Sequence, residues 1–275
     1  MSSTIRITRT ALIAVTLAGA LTSISPAMFA ASGKAGAGPQ AVSDNQAASD
    51  AAARLSKKEF RNVKVDVDAN GIATLSGSVD LYEYKTEADK RVHKAKGVSA
   101  VRNDIEVAGP AVSDDQLKSK LVEKLEYDQV GYGNVFDAIS VDVAGGVVTL
   151  AGHALNYPAK DSALGLVSTY PGVKDVVDNI QVDPVSFMDD GIRVAIARAI
   201  YGFPSLNHYA IDPAKPIRIT VVNGHVQLDG IVDSQGDKET AFIRANAVPG
   251  VFSVKNNLQV ANNHEEAQKQ SSVNQ

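Results

Sequence analysis

The sequence predicts an α+β protein built as three tandem α-β-β-α-β units, each with two helices packed on a small three-stranded mixed sheet. Two observations predict it. The first is a motif written three times, NGIATLSGSV, GGVVTLAGHA and NGHVQLDGIV, whose glycine landmarks recur at offsets of 75 and 78 residues. The second is that helical periodicity precedes and follows a β-hairpin pattern in each copy. We expect the units to span 43–107, 113–182 and 186–260.

The first element of each unit is predicted to be a helix. Ser43 with Gln46 and Ser113 with Gln116 fit the capping box, in which a Ser oxygen and a Gln side chain satisfy free amides at a helix start. One face of each helix should be buried because apolar residues recur four apart. The expected faces are Ala48, Ala52 and Leu55, then Leu117, Leu121 and Leu125, then Ile192, Ile196 and Ile200. The alanine face predicts that the first unit is the least well packed.

A β-hairpin follows the first helix. Alternating β-branched residues such as Val63, Val65 and Val67 indicate strands with one buried face. The turns should be formed by Asn70-Gly71, Gly145-Gly146 and Asn223-Gly224, which tolerate the positive φ angles of a tight hairpin. The first unit has one extra turn residue, which predicts a bulge or a longer loop.

A second helix and a last strand complete each unit. The helix should bury Ala88, Val92 and Ala95 and their counterparts, and should end at Gly97, Gly172 or Gly250. Nine glycines are therefore predicted to hold turns and caps. They are Gly71, Gly146, Gly224, Gly77, Gly152, Gly230, Gly97, Gly172 and Gly250.

Composition excludes several classes of function. The 275 residues include no cysteine, which rules out disulfides, thiolate metal sites and cysteine nucleophiles. A net charge of −4 argues against a nucleic-acid binder. The five histidines form no metal-binding pair, so no metal or cofactor is expected. The acidic pairs Asp114-Asp115 and Asp189-Asp190 precede helices, where the helix dipole explains them, and we predict no enzyme.

The first thirty residues resemble an export signal. Arg6 and Arg9 precede the apolar stretch 11–24, and small residues follow, with cleavage after Ala27 or after Ala30 as alternatives. An uncleaved membrane anchor is the other interpretation, although the stretch is shorter than the roughly 20 residues of a spanning helix. Residues 31–42 are predicted to be a flexible leader and 261–275 a disordered tail. The mature chain should therefore be periplasmic or secreted, and peripheral rather than transmembrane.

The repeated motifs resemble the BON domain. The resemblance rests on a strand, Asn-Gly or Gly-Gly, Val-Thr-Leu-x-Gly, a helix, and a closing segment such as GVKDVVDNIQV or GVFSVKNNLQV. The first copy departs from it at Ile72-Ala73 and at 102–104. The resemblance implies a non-catalytic protein of the bacterial envelope that is linked to osmotic stress and attaches to phospholipid or other envelope surfaces. It carries no catalytic residue over.

Aromatic residues in two loops are the first candidates for binding. The loops lie between the first helix and the hairpin of the second and third units, where rings with one wet edge suit a membrane interface or a partner. The alternative is that these rings cap the open end of each core. The candidates are Tyr127, Tyr132, Phe136, Tyr201, Phe203 and Tyr209.

The second candidate is a basic cluster in the first unit. That unit has 11 basic and 11 acidic residues, against 5 and 10 in the second and 7 and 7 in the third. Such a cluster could bind anionic headgroups, or it could be a solvated face balanced by Glu59, Glu87 and Asp89. The cluster is formed by Arg54, Lys57, Lys58, Arg61 and Lys64.

These features predict an exported binding module for anionic phospholipid or an envelope protein. The alternative is a soluble periplasmic scaffold, chaperone-like or protein-binding, without lipid affinity. The oligomeric state does not follow from the sequence.

Overall fold

Three copies of one α+β unit follow one another along the chain. The computed structural model describes residues 39–128, 133–213 and 215–261, all of which belong to one compact unit. The predicted signal segment 1–30, the leader as far as residue 38 and the tail from 262 lie outside the described residues. Their assignments stay predictions.

The first repeat runs from helix α1 to strand β4. Strand β1 pairs antiparallel with β2, and β3 and β4 pair parallel with β2, which gives the predicted mixed sheet. Its elements are α1 (Pro39–Arg54), a 3-10 turn (Lys58–Phe60), β1 (Val63–Val67), β2 (Ile72–Val79), α2 (Tyr82–Val92), β3 (Ala100–Asn103) and β4 (Glu106–Val107).

The second repeat has the same order. Strand β6 lies between antiparallel β5 and parallel β7. Its elements are α3 (Asp114–Asp128), the short α4 (Gly133–Phe136), β5 (Ala138–Ala144), β6 (Val147–Ala154), α5 (Tyr157–Ser168) and β7 (Asp175–Val182).

The third repeat differs in that its last two strands are interrupted. Strand β9 pairs with β8 and β11, and the short β10 pairs parallel with β12. Its elements are α6 (Phe187–Tyr201), a 3-10 turn (Asn207–Ala210), β8 (Arg218–Val222), β9 (His225–Asp229), β10 (Ile231–Val232), α7 (Gln235–Asn246), β11 (Ser253–Asn256) and β12 (Gln259–Val260).

The first helices bury the predicted faces in two of the three repeats. The leucines of α3 and the isoleucines of α6 are buried. In α1 the prediction is wrong by one position, because Ala47 and Ala51 are buried with Leu55 whereas Ala52 is exposed. Helix α1 also begins at Pro39, so Ser43 is not its N-cap and the predicted leader ends earlier. In α3 the Ser113 cap is confirmed, since the Gln116 amide donates to Ser113 Oγ at 3.4 Å.

The hairpin turns follow the predicted chemistry. Asn223 and Gly224 have φ of 52° and 75°, and both glycines of the second turn also have positive φ. The extra residue of the first turn forms a longer loop. Asp68 closes it by accepting hydrogen bonds from the amides of Asn70 and Ile72 at 2.9 and 2.8 Å.

All nine predicted glycines have positive φ, but two groups of them are not where we expected. Gly77 and Gly152 lie inside strands rather than at turns, and a Cβ on Gly152 would lie 2.0 Å from the Ala138 carbonyl oxygen. The glycines predicted to end the second helices lie four or five residues beyond the helix ends. There the chain passes close to a neighbouring segment, and a Cβ on Gly97 would lie 2.9 Å from that of Ala47.

Neighbouring repeats pack against each other. Tyr82 of the first repeat packs against the core of the second, and Phe136 and Leu155 of the second join the core of the third. Arg218 Nη2 of β8 also lies 3.9 Å from Glu126 Oε1 of α3. Successive repeats therefore share core residues at their joins.

Candidate functional site

The aromatic loop residues are mostly core residues. Phe136 and Tyr209 are buried, at 6% and 1% exposure, so their assignment as surface binding residues is corrected. The Asp233 amide donates to Tyr209 Oη at 2.6 Å, and Tyr209 Oη donates to Asp237 Oδ2 at 3.1 Å. Burial raises the pKa of Tyr209 well above its ordinary value.

The other loop aromatics are divided between core and surface. Tyr201 is half-buried and donates from Oη to the Ile217 carbonyl at 2.7 Å, and burial raises its pKa. Phe203 is partly buried under the Arg244 guanidinium, 4.8 Å from the ring centroid. Tyr127 is exposed, at 58%, and Tyr132 lies outside the described residues. Tyr201, Phe203 and Tyr209 therefore pack on the core of their own repeat, as the alternative interpretation expected, whereas Phe136 packs on the core of the next repeat.

The basic cluster of the first repeat divides into paired and unpaired cations. Arg54 contacts Asp50 at 3.2 Å, and Lys57 contacts Glu87 at 3.4 Å. Lys58, Arg61 and Lys64 are exposed, and none of them has an ion-pair partner among the described residues. Arg54 and Lys57 therefore form the charge-balanced, solvated face that was the alternative interpretation. Lys58, Arg61 and Lys64 are paired with no carboxylate in the part of the chain that the structure describes.

Core packing holds the backbone that carries the three unpaired cations. Phe60 lies between Lys58 and Arg61 and is buried at 1% exposure, with the Arg91 guanidinium 5.6 Å from its ring centroid. Lys64 projects from β1 on the face that the helices leave uncovered, since Val63 and Val65 pack on the core. We call Lys58, Arg61 and Lys64 the first-repeat cation surface.

A buried polar cluster lies where the second and third repeats meet. Arg193 of α6, 2% exposed, donates from Nη2 to Asp183 Oδ2 at 2.9 Å and to the Val221 carbonyl at 2.7 Å, and it also pairs with Asp190. The other Asp183 oxygen lies 3.0 Å from Nδ1 of His153. A single cation therefore neutralises carboxylates from both sides of the join.

Asp137 borders this cluster. Its Oδ1 accepts a hydrogen bond from the Leu155 amide at 2.7 Å. Burial, together with the negative charge of Asp183, raises the pKa of Asp137 to about 6, against the opposing effects of the Leu155 hydrogen bond and of Arg193. No part of the sequence pattern pointed to this cluster, because its members come from separate elements.

Asp114 and Asp189 have a structural role that the helix-dipole explanation did not include. Asp114 accepts hydrogen bonds from the amides of Gly145 and Gly146 at 2.7 and 2.9 Å. Asp189 does the same for Asn223 and Gly224 at 2.9 and 2.8 Å. Each carboxylate holds the hairpin turn of its own repeat. The signal for this role was the recurrence of Asp at matching positions of α3 and α6.

Burial opposes ionisation of Asp189, but its amide hydrogen bonds outweigh that effect. They come from Gly224 and Asn223, and the pKa of Asp189 lies below its ordinary value.

Cavities lie at the joins between repeats. A groove of about 630 Å³ separates α2 from α5, and Tyr82, Lys90, Leu164 and Asp178 are among its lining residues. A cavity of about 340 Å³ lies beside Arg193. Within the described ranges, no three His, Asp or Glu side chains are grouped as metal ligands, and no helix is long and apolar enough to cross a bilayer.

A family model described as BON domain matches residues 43–109, 113–184 and 205–262, which together make up more than half of the chain. The chain belongs to the BON domain family. The resemblance seen in the repeated motifs is confirmed, and so is the α+β class with three repeats. The third match begins at residue 205, beyond α6, although α6 occupies the place that α3 occupies in the second repeat.

The relatives include a protein named for osmotic induction. Osmotically-inducible protein Y of Escherichia coli (strain K12) is 31% identical over 142 residues, which are 51% of this chain and 71% of that protein. Two solved structures of CdsD, a structural protein of the type III secretion system of Chlamydia trachomatis, are 14% and 16% identical. They cover 77% and 80% of this chain and 96% of their own chains, with TM-scores of 0.23 and 0.22.

Proposed function

We propose that this BON-family chain is an exported, non-catalytic module of the bacterial envelope that attaches to anionic phospholipid through the first-repeat cation surface. Membership of the family and similarity to an osmotically inducible protein support an envelope or osmotic-stress role. The observation that carries the lipid proposal is the set of three exposed cations at Lys58, Arg61 and Lys64, which are unpaired within the described ranges.

The physical basis is electrostatic. A cation near an anionic membrane surface contributes about 1 kcal/mol, so three contribute about 3 kcal/mol, which makes a weak and reversible attachment. Paired cations such as Arg54 contribute less because their charge is already neutralised. Binding should weaken with added salt, since the Debye length is about 10 Å at 0.1 M and about 3 Å at 1 M.

Flotation of the exported full chain with liposomes tests the proposal. We expect flotation with anionic vesicles at low salt, less at high salt, and none with purely zwitterionic vesicles. The K58E/R61E/K64E variant should not float. The control is K174E/K215E/K255E, which reverses three exposed lysines without ion-pair partners among the described residues of the other repeats. Equal loss in both variants would point to net charge rather than to this surface, and absence of flotation would end the lipid proposal.

A protein-binding scaffold without lipid affinity is the second candidate. Large apolar side chains exposed in the third repeat and just before it favour this candidate, because such groups often mark contact surfaces. Suppression of client aggregation by a chain that does not float would support it. The most exposed of these side chains are Val185, Phe187, Met188, Ile211 and Phe252.

A further inference from the structure

Helix α6 presents an outward face, on which Asp190 and Val194 also border the cavity beside Arg193. Its inner face is packed into the core through Ile192, Ile196 and Ile200. Two large apolar side chains stand on the outer face, Phe187 at 92% and Val194 at 40% exposure. The face is formed by residues spaced i, i+3, i+4, i+7 and i+11, namely Phe187, Asp190, Gly191, Val194 and Arg198.

The charges on this face are placed symmetrically about Val194. Asp190 lies four residues before it and Arg198 four residues after it. The Asp190 carboxylate is half-exposed although it pairs with Arg193. The Arg198 guanidinium is exposed and has neither an ion pair nor a hydrogen bond among the described residues.

We propose that this face is a self-association surface and that its partner is a second copy of this chain. The two α6 helices would pack antiparallel about a twofold axis through Val194. Residues at equal distances on either side of the axis then face each other, as an isologous interface requires. Asp190 of each copy meets Arg198 of the other, and the two valines meet at the centre.

The remaining residues of the face fit the same arrangement. Phe187, 92% exposed, lies seven residues before Val194 and would cover the end of the partner's α6 near Tyr201, whose own ring stays packed on the core with Oη on the Ile217 carbonyl. Gly191 offers no side chain, which lets the helices approach closely. Parallel packing would instead bring each Asp190 near the other, which costs energy. The proposal concerns the third repeat and does not rest on lipid attachment through the first.

A single-cysteine variant tests the geometry, because the chain has no cysteine of its own. Helices about 9 Å apart, with Cα atoms about 2.3 Å from each axis, bring facing Cα atoms to about 4–5 Å, within reach of a disulfide. V194C should therefore form a covalent dimer under mild oxidation. The control is I243C, at an exposed position on α7 of the same repeat, which should cross-link at least about tenfold more slowly because no facing pair is expected there.

Charge reversal tests the partner. R198E places a carboxylate beside Asp190 of the other copy, so association should weaken roughly tenfold as two attractive contacts become repulsive. Sedimentation of the full chain should show a monomer–dimer equilibrium that R198E shifts to monomer, and R198E in the V194C background should slow cross-linking. The melting temperature of the R198E monomer should not change, because the Arg198 side chain has no partner within the described ranges. A monomer at all concentrations, or V194C and I243C cross-linking at the same rate, would overturn the proposal.

Discussion

Lys118 and Arg193 occupy the same register position in the first helices of the second and third repeats, but their surroundings differ. Each directly follows the first buried apolar residue of its helix, Leu117 or Ile192. Lys118 is about half-exposed and contacts Asp142 at 3.1 Å. Arg193 is buried against Asp183, which follows the last strand of the second repeat. The place of a repeat in the array, and not the position within the repeat, decides whether the cation is a surface or a core residue.

The largest expected effect on stability comes from removing Arg193, with removal of Lys118 as the comparison. Arg193→Met should lower the free energy of unfolding by about 3–5 kcal/mol, because it leaves Asp183 buried without its partner. Lys118→Met should cost about 1 kcal/mol or less, since exposed ion pairs contribute little. Urea denaturation of both variants measures the difference. Equal losses in the free energy of unfolding would show that burial at the join does not make Arg193 more important for stability than Lys118.

The turn-holding aspartates allow a second comparison between the same helices. Asp189 is buried, whereas Asp114 is partly exposed. Asp189→Ala should cost about 2–3 kcal/mol and Asp114→Ala about 1 kcal/mol, because buried amides left without an acceptor lose more than amides that water can reach. The same denaturation series measures it. A larger cost at Asp114 would contradict this account of the turns.

The last expected effect is a pH dependence at Asp137. Its pKa of about 6 in the folded chain lies above the usual carboxyl value, so the protonated form stabilises the fold at low pH, and that stability is lost as the pH rises to about 6. Asp137→Asn should therefore melt at a higher temperature than the natural chain at pH 7.5, and the gain should disappear by about pH 4. The melting-temperature difference against pH checks this.

The control for Asp137 is Asp142, an exposed carboxylate on β5 of the same repeat. Asp142→Asn should show no comparable gain at pH 7.5, because water already solvates that charge. A gain of the same size in both variants would indicate a general effect of lowered negative charge.

Features within one repeat could be predicted from the sequence. The leucines of α3 and the isoleucines of α6 were found because their spacing reports one buried face. The positive φ of Gly146 and Gly224 followed from turn chemistry. The buried face of α1 could not be predicted, because alanines at neighbouring positions hardly differ in hydrophobicity.

Features that depend on contacts between repeats could not be predicted. Phe136 is buried because it enters the core of the next repeat, and its own repeat gives no sign of that. Arg193 and Asp183 are ten residues apart, and they meet because the chain turns back at the join. Ion pairing within the first repeat could not be predicted either. Arg54 pairs with Asp50 and Lys57 with Glu87, whereas Lys58, Arg61 and Lys64 have no ion-pair partner among the described residues.

Hydrogen–deuterium exchange of the full chain, with and without anionic vesicles, tests the central claim most directly. The account predicts slower exchange of backbone amides in peptides that cover 57–67 and unchanged exchange in α7. Protection confined to the second and third repeats, or no protection while the chain is bound to vesicles, would contradict attachment through the first-repeat cation surface.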